Sequence, residues 1–314
     1  MTASPEAVVI GAGVIGLTTA IRLCEADVVT TVITADDPGS TTSVLASAMV
    51  GPSFGFNGER ASAWEAETIR TVLAEPAGVG VHRCRGRFLT RFAGFIPPGA
   101  DALPGFVICD EPDLPDGFET GFWAEVPLVE MHRYTEHLVA RLEHLGGTIE
   151  TASVASIDDA TALAPLVANC AGLGARDLVP DPTVTPMRGP KIVVENPGID
   201  TFVMVGPPGP EGTSIHPHGD IVVLGGSATP SDNITPDPQE AGAIIERCAE
   251  IEPRLRDARV LDHRVGLRPA RPEIRLDLEQ RAGARVVHSY GHGGIGVTVS
   301  WGCATEAAHL LTSS

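Results

Sequence analysis

Apolar and polar positions in the first 36 residues follow the pattern of a β-α-β unit. A short apolar run at residues 8–10 enters a glycine-rich turn, and a helix-like pattern comes after it. A second apolar run, residues 28–33, ends at Ala35 and Asp36. Short continuous apolar runs are typical of parallel strands that are buried on both faces. The pattern therefore predicts an α/β fold whose first two strands are parallel and joined by a helix.

The rest of the chain divides into stretches of two kinds. Residues 52–125 carry many prolines and short alternating strands, such as 85–92, and this pattern favours an antiparallel sheet. Later stretches return to helices and apolar strands. The remaining predicted helices cover residues 61–74, 131–145 and 238–251, and the remaining predicted strands cover 148–150, 163–170, 191–194, 202–205 and 220–225, with a strand, glycine loop and helix at 286–311.

This arrangement predicts an α/β protein in which a Rossmann-like dinucleotide-binding domain carries an inserted substrate domain with a mixed, mostly antiparallel sheet. The nucleotide-binding domain is expected in three segments, residues 1–51, 126–186 and 261–314. The substrate domain is expected in two segments, residues 52–125 and 187–260.

The turn after the first strand has the spacing G-x-G-x-x-G. Its first glycine permits a tight turn, the second lets backbone N–H groups approach a pyrophosphate, and the third lets the helix pack closely on the strand. The helix N-terminus adds unpaired donors. Asp36 follows about twenty residues later, where an acid usually binds a ribose hydroxyl. The pattern predicts a dinucleotide site, and the alternative is a glycine-rich turn of another α/β fold. The turn consists of Gly11, Gly13 and Gly16, with Val14 and Ile15 between them.

A second glycine-rich loop lies near the C-terminal end, at residues 287–298. A helix that starts near Thr298 would direct its positive end toward an electron-rich group. A flavin gains electron density at the N1 and O2 edge when it is reduced, and a positive helix end there stabilises the reduced form. The loop therefore favours a flavin over a nicotinamide cofactor. A purely structural loop is the alternative.

Three arginines and two prolines lie close together in residues 265–276. The prolines stiffen the backbone, and a stiff backbone suits an arginine that binds a carboxylate through two hydrogen bonds. Arg268 is the predicted substrate-binding residue, while Arg271 or Arg275 would form structural ion pairs. A structural role for any one of the three is an equally open interpretation.

Composition and charge exclude several classes of partner. The formal net charge is −18, so we expect neither nucleic acid nor an anionic membrane surface as a partner. No apolar run of 18 residues is present, and the first apolar stretch fits a strand and helix better than a signal peptide, so we expect a cytoplasmic protein. The six cysteines are scattered, which favours free buried thiols over disulfides and predicts no metal site.

Five motifs occur in order over nearly the whole chain and together resemble the D-amino acid oxidase family. They are the first glycine turn, Thr-Thr-Ser at 41–43, Asn-Cys-Ala-Gly at 169–172, G-L-R-P-x-R-P-x-I-R-L, and H-S-Y-G-H-G-G-x-G-x-T. The resemblance implies an FAD flavoprotein that oxidises D-amino acids to 2-oxo acids and ammonia by hydride transfer from the substrate Cα to flavin N5. Oxygen would be reduced to hydrogen peroxide. The expected partners are a D-amino acid and O2, and a homodimer is left open.

The resemblance also implies roles for single residues. Arg268 matches the arginine that binds the substrate carboxylate, and Gly294 matches the glycine whose carbonyl holds the substrate amine. Ser214 stands where relatives have a tyrosine that shares the carboxylate with the arginine. The matched or neighbouring FAD-contacting positions are Gly11, Gly13, Val14, Ile15, Gly16, Asp36, Thr42, Ser43, Met49, Val154, Gly172, Gly293, Gly296, Val297 and Thr298.

Other departures affect the expected substrate range. Gly51 and Pro190 stand where many relatives have glutamine. Ser214 or a neighbouring histidine could replace the tyrosine through water, although histidines 216 and 218 are more simply interpreted as exposed loop residues. Arginines 83, 85 and 87 alternate on a predicted strand. They fit an acid-paired surface, with a second carboxylate site for acidic D-amino acids as the alternative.

Three other functions are left open by the sequence. The chain could oxidise glycine or sarcosine on the same fold, or be a flavin dehydrogenase that passes electrons to a carrier instead of O2. A non-enzymatic dinucleotide-binding regulator is the third, and the arginine segment and second glycine loop argue against it.

Overall fold

The computed structural model describes residues 6–55, 57–206, 211–281 and 283–313. Within these ranges the chain forms one 14-stranded mixed sheet covered by helices. The predicted α/β class with a mixed sheet is confirmed. None of the helices in these ranges combines the length and apolarity that crossing a bilayer requires.

One half of the sheet is parallel. Its strands are β1 (Ala7–Ile10), β2 (Thr30–Thr34), β6 (Thr148–Thr151), β7 (Leu166–Asn169) and β14 (Ala284–His292). They lie in the order β14-β7-β1-β2-β6, and each neighbouring pair is parallel. The strands β1 and β2 are buried at every position, which is why their sequences are continuous apolar or threonine runs.

The other half is mostly antiparallel. Its strands are β3 (Val81–Thr90), β4 (Val107–Ile108), β5 (Thr120–Val129), β8 (Thr185–Glu195), β9 (Phe202–Val205), β10 (Glu211–His218), β11 (Ile221–Ser227), β12 (Thr229–Pro230) and β13 (Val260–Arg281). The order is β4-β5-β3-β9-β10-β11-β8-β13, with β12 beside β8. The long strand β13 pairs first with β8 and then with β14, so it joins the two halves.

Helices cover both faces of the parallel half. The helices of the described chain, in order, are α1 (Val14–Glu25), α2 (Gly58–Leu73), α3 (Met131–His144), α4 (Ile157–Leu163), α5 (Ala175–Leu178), α6 (Pro238–Ile251) and α7 (Gly296–Thr312). Residues of α1, α3 and α7 share one core with Val9 of β1, whereas Ile157 of α4 packs with Val8 and Ile10. These opposite assignments follow from the alternation of side chains along a strand. Helix α6 packs on the antiparallel half.

The core under α1, α3 and α7 depends on Trp301. Its side chain is fully buried, and its indole N–H donates a 2.7 Å hydrogen bond to the hydroxyl of Tyr134, which is also fully buried. This arrangement buries the apolar surface of both rings and gives the indole N–H and the hydroxyl a hydrogen bond. Truncating Trp301 to alanine would cost about 3–5 kcal/mol of folding free energy.

Most predicted elements occur within a few residues of their expected positions. The helix at 238–251 is confirmed, and the helices expected at 61–74 and 131–145 are α2 and α3. The strand expected at 163–170 is shorter, because α4 continues to Leu163 and β7 begins at Leu166. The division into three nucleotide-binding and two substrate segments stays a proposal.

Candidate functional site

A cavity of about 1150 Å³ runs from the parallel half of the sheet across to the antiparallel half. At one end it is lined by the loops that follow β1, β2 and β7, and at the other by residues of β8, β10 and β13. Ligands of open α/β sheets bind at the carboxyl ends of the strands. The volume exceeds the roughly 300–1,000 Å³ of ordinary small-molecule pockets, so the cavity has room for a dinucleotide and a small substrate together.

The first glycine turn forms one wall of this cavity. Gly11 has φ of +99°, and a Cβ atom there would lie 2.7 Å from the carbonyl oxygen of Cys170. A Cβ on Gly16 would lie 1.8 Å from the carbonyl oxygen of Gly11, so Gly16 packs the turn and does not line the cavity. Both positions therefore require glycine. Gly11, Gly13, Val14 and Ile15 line the cavity.

Helix α1 begins directly behind this turn without a side-chain cap from Gly13. The N–H of Val14 donates a 2.9 Å hydrogen bond to the hydroxyl oxygen of Ser43. The Thr-Thr-Ser segment is thereby held against the helix N-terminus, where donors and the helix dipole favour an anion. The carboxylate of Asp37 is used locally to accept from the N–H of Gly39, whereas Asp36 lines the cavity.

A second helix N-terminus faces the same cavity. A 3₁₀ turn at Gly293–Ile295 leads into α7, which begins at Gly296, two residues before the predicted start. No side chain caps this end among the described residues. The hydroxyl of Thr298 donates to the carbonyl of Met49 at 3.2 Å and accepts from the N–H of Gly51 at 3.4 Å. The contact of Thr298 with FAD that the resemblance implies stays a prediction.

The remaining predicted cofactor positions all line this one cavity. They lie in segments that are far apart in sequence, including the loop after β2, the loop after β7 and the start of α7. The fold brings these segments together around the cavity. The set is Thr42, Ser43, Met49, Val154, Gly172, Gly293, Gly296, Val297 and Thr298.

The guanidinium of Arg268 projects into the cavity from β13. Its NH1 group donates a 3.2 Å hydrogen bond to the carbonyl of Ser227. A Cβ added to Gly189 would lie 2.0 Å from NH1, so the guanidinium lies directly over Gly189. Gly294 is adjacent, since a Cβ there would lie 3.6 Å from Cδ of Arg268. Burial lowers the pKa of Arg268, but arginine stays charged in proteins. The site presents a cation suited to a carboxylate.

The two neighbouring arginines are structural, as the sequence interpretation allowed. Arg271 binds the carboxylate of Asp181 at 3.0 Å, and Arg275 binds Asp277 at 3.1 Å and the hydroxyl of Tyr290 at 2.9 Å. The Tyr290 hydroxyl donates in turn to Asp181. Hydrogen bonds from Thr183, Tyr290 and Arg271 hold the pKa of Asp181 well below its usual value. This network fixes β13 beside β14.

Ser214 and His216 lie on β10, and both are buried and line the cavity. The exposed-loop interpretation of histidines 216 and 218 is wrong, because β10 is an inner strand between β9 and β11. His216 Nδ1 lies 2.8 Å from the carbonyl of Ser47 and must donate there, which leaves Nε2 as an acceptor. Burial lowers the pKa of His216 to about 3 and that of His218 to about 4. Both rings are therefore neutral near pH 7.

Several buried polar atoms on the cavity wall lack a hydrogen-bond partner within the described part of the chain. Such atoms are rare in folded proteins and are usually satisfied by a ligand or water. Burial lowers the pKa of one of the residues, His292, to about 4. The atoms are Ser214 Oγ, His216 Nε2, Ser289 Oγ and His292 Nε2.

Lys191 was missed by the sequence analysis. It lies on β8, is 8% exposed and lines the cavity. Burial first, and then the charge of Arg268, lower its pKa to about 7. It is the only lysine of the chain. The available signal was a lysine placed directly before an apolar strand run, residues 192–194.

The alternating arginines of β3 lie outside the cavity. Arg83 pairs with Glu125 at 3.2 Å, and the guanidinium groups of Arg85 and Arg87 lie over the ring of Trp123. None of the three lines the cavity. The alternative of a second carboxylate site built from these arginines is therefore wrong. The acid-paired interpretation is confirmed for Arg83 alone, since Arg85 and Arg87 lie over an aromatic ring.

Cysteines and the two substituted glutamine positions complete the predicted set. All six cysteines are free thiols, as predicted, and burial raises the pKa of Cys170 and Cys248 to about 12. Gly51 lines the cavity, whereas Pro190 does not. Within the described ranges, no cluster of three or more His, Cys, Asp or Glu residues could hold a metal ion.

Comparisons of the sequence and of the fold with known proteins all find FAD-dependent oxidoreductases or amino-acid oxidases. The family of FAD-dependent oxidoreductases matches residues 6–310. The chain is 45% identical over 312 residues to the D-amino-acid oxidase of Rubrobacter xylanophilus, covering 97% of this chain and 95% of that protein. It is 42% identical over 318 residues to the D-amino-acid oxidase of Streptomyces coelicolor, covering 98% and 97%. The solved structure of glycine oxidase from Geobacillus kaustophilus shares the fold, with a TM-score of 0.83, 18% identity and coverage of 99% and 95%.

Proposed function

This chain belongs to the family of FAD-dependent oxidoreductases that includes the D-amino-acid oxidases, and on that basis we propose that it oxidises D-amino acids to imino acids with FAD and O2. Water converts the imino acid to a 2-oxo acid and ammonia. The observation that carries the proposal is the guanidinium of Arg268, which faces the cavity beside Gly294 and has only a backbone carbonyl as a described partner. We infer further a cytoplasmic location, and a homodimer stays a prediction.

The cavity wall fits FAD. The turn around Gly13 and the start of α1 would hold the pyrophosphate, Asp36 would hold a ribose hydroxyl, and the start of α7 would lie at the flavin. When bound, FAD accepts two electrons and a proton from the substrate as a hydride and passes the electrons to O2, which yields hydrogen peroxide.

The residues on the substrate side act by positioning. Arg268 binds the α-carboxylate, and the carbonyl of Gly294 accepts a hydrogen bond from the amine. Two fixed groups on the Cα atom determine which of its remaining bonds faces the cofactor, so the D-isomer presents Cα–H and the L-isomer presents its side chain. The amine must be neutral for its lone pair to stabilise the developing imine. The rate should therefore rise with pH toward the pKa of the substrate amine.

The test is oxygen consumption by the full chain reconstituted with FAD. D-Alanine should consume one O2 for each pyruvate and each hydrogen peroxide formed, and L-alanine should consume none. The same protein without FAD is the matched control. Turnover of glycine or sarcosine with none of any D-amino acid would overturn the proposal in favour of another amine oxidase. Reduction of a dye by D-alanine without oxygen uptake would indicate a dehydrogenase.

A further inference from the structure

Two cations face the substrate end of the cavity from neighbouring strands. Arg268 lies on β13 and Lys191 on β8, and both line the cavity. Neither forms an ion pair with a carboxylate of the described residues, and no carboxylate is among the causes that shift the pKa of either group. Apart from the histidines, every other basic side chain of this chain is an arginine.

Both side chains lie flat over a glycine on the same face of the sheet. In the β8–β11 pair Lys191 is directly opposite Gly225, and a Cβ on Gly225 would lie 2.7 Å from Nζ of Lys191. Arg268 covers Gly189 in the same way. Gly189 and Lys191 are two residues apart on one strand, and two residues of a strand span roughly 7 Å. The two cationic groups are therefore neighbours along this face.

The surroundings offer these charges no counter-ion. On β10, Ser214 pairs with Gly225, and its buried hydroxyl has no described partner. His216 and His218 of the same strand are neutral near pH 7, and burial keeps Cys248 of α6 a neutral thiol, with a pKa of about 12. Two like charges buried without an anion repel each other and lack solvation. An anionic ligand relieves both effects.

We propose that Lys191 is a second carboxylate-binding residue of the substrate site, so that its ammonium and the guanidinium of Arg268 hold the two oxygens of one α-carboxylate. This rests on the proposed function. A carboxylate that accepts a hydrogen bond of about 2.8 Å on each oxygen spans donors at this spacing. The lysine then supplies the second carboxylate contact, at a place where Ser214 has too short a side chain.

The assignment has a consequence for proton uptake. Burial and the charge of Arg268 lower the pKa of Lys191 to about 7, so the lysine gains or loses its proton near neutral pH. A bound carboxylate favours the charged ammonium, so binding takes up a proton and should weaken as the pH rises above 7. Among the groups that face Lys191, the arginines 268 and 264 stay charged, and His216, His218 and Cys248 stay neutral between pH 6 and 9.

A single lysine permits a direct test. The FAD-loaded full chain, grown on lysine labelled with ¹³C at Cε, should give one lysine signal whose pH titration reports Lys191 alone. Saturation with benzoate, which cannot be oxidised, should raise the pKa of this ammonium by roughly 1–3 pH units. Benzamide, which has the same shape and no charge, should leave the pKa of Lys191 unchanged. An unchanged titration with benzoate would overturn the proposal.

Kinetics of variants give the second test. Lys191→Met should raise the KM for D-alanine and the Kd for benzoate roughly 10–100-fold, with a much smaller change in kcat and unchanged FAD content. Lys191→Arg should recover most of the loss. Arg259→Met is the matched control, because Arg259 pairs with Glu195 at an exposed position and does not line the cavity. It should leave both constants unchanged.

The comparison of substrates separates this role from another. D-Alanine and D-aspartate should lose affinity equally in Lys191→Met, because both carry the α-carboxylate. A loss confined to D-aspartate would overturn the proposal, since Lys191 would then bind the side-chain carboxylate. An unchanged KM for both would also overturn it. If the wild-type protein oxidises no D-amino acid, the proposed function fails, while the lysine titration still decides whether Lys191 binds carboxylates.

Discussion

Arg268 donates a 3.2 Å hydrogen bond from NH1 to the carbonyl of Ser227, and this carbonyl orients the guanidinium without neutralising its charge. Arg268→Ala removes both the cation and its donors, so kcat/KM for D-alanine should fall roughly 30-fold or more, corresponding to about 2–5 kcal/mol for a buried charge pair. FAD binding should be unaffected. Steady-state kinetics and the flavin absorbance measure the two effects, and wild-type kinetics in the variant would remove Arg268 from the site.

Gly189 should be as important as the arginine that covers it. In Gly189→Ala the new methyl group would lie 2.0 Å from NH1 of Arg268, so the guanidinium must move. We expect kcat/KM to fall at least tenfold, which is about 1.4 kcal/mol of transition-state stabilisation. Gly242→Ala in α6 is the control, because no atom lies within 4 Å of its added Cβ. Equal activity of the two variants would show that Arg268 need not occupy this position.

Ser43 should contribute to cofactor affinity and not to the chemical step. Ser43→Ala removes the hydroxyl that accepts a hydrogen bond from the N–H of Val14. This hydrogen bond fixes the Thr-Thr-Ser segment beside the N-terminus of α1. The Kd for FAD should rise roughly 5–20-fold, which corresponds to about 1–2 kcal/mol for a lost hydrogen bond. Titration of the apoprotein with FAD, followed by flavin fluorescence, measures this. Ser62→Ala in α2, at a position outside the cavity, is the control, and an equal Kd in both variants would contradict the role.

Arg85 should have no influence on substrate choice. Its guanidinium lies over the ring of Trp123 and outside the cavity. In Arg85→Gln the ratio of kcat/KM for D-aspartate to that for D-alanine should stay within about twofold, since surface substitutions rarely change free energies by more than about 0.5 kcal/mol. Parallel kinetics with both substrates provide the check. A selective loss of D-aspartate turnover would return this arginine to the substrate site.

Asp181 should contribute to stability above its unfolded pKa. Its folded pKa is depressed by Thr183, Tyr290 and Arg271, so the carboxylate stabilises the fold at neutral pH and this contribution is lost as the pH falls below about 4. Asp181→Asn should lower the melting temperature by a few degrees at pH 7 and by less at pH 3. Asp257→Asn, at an exposed site, is the control. A constant difference at all pH values would contradict the account.

Much of the fold was readable from local pattern. The β1-turn-α1 unit, helix α6 and the strand-loop-helix of β14 and α7 follow from apolar runs and glycine spacing that each act over short distances. Arg268 was found because prolines and arginines cluster around it. These patterns depend only on residues that are close in sequence, so they can be recognised before the strand order of the sheet is known.

The errors concern residues whose surroundings come from distant strands. His216 lies between two strands that bury it, and nothing in its own sequence neighbourhood distinguishes β10 from a loop. Lys191 stands at the edge of an apolar run, so the sequence pattern does not show that it is buried. Its environment comes from Gly225 and Arg268 on two other strands. The arginines of β3 share a face as predicted, but which face meets the cavity depends on how β3 and β9 pair.

The most direct test of the proposed function is an anaerobic titration of the FAD-loaded protein, followed by the visible absorbance of the oxidised flavin. D-Alanine should bleach the flavin, admission of air should restore it, and L-alanine should leave it unchanged. A flavin that stays oxidised with D-alanine and other D-amino acids, or one that is reduced equally by both enantiomers, would contradict the account.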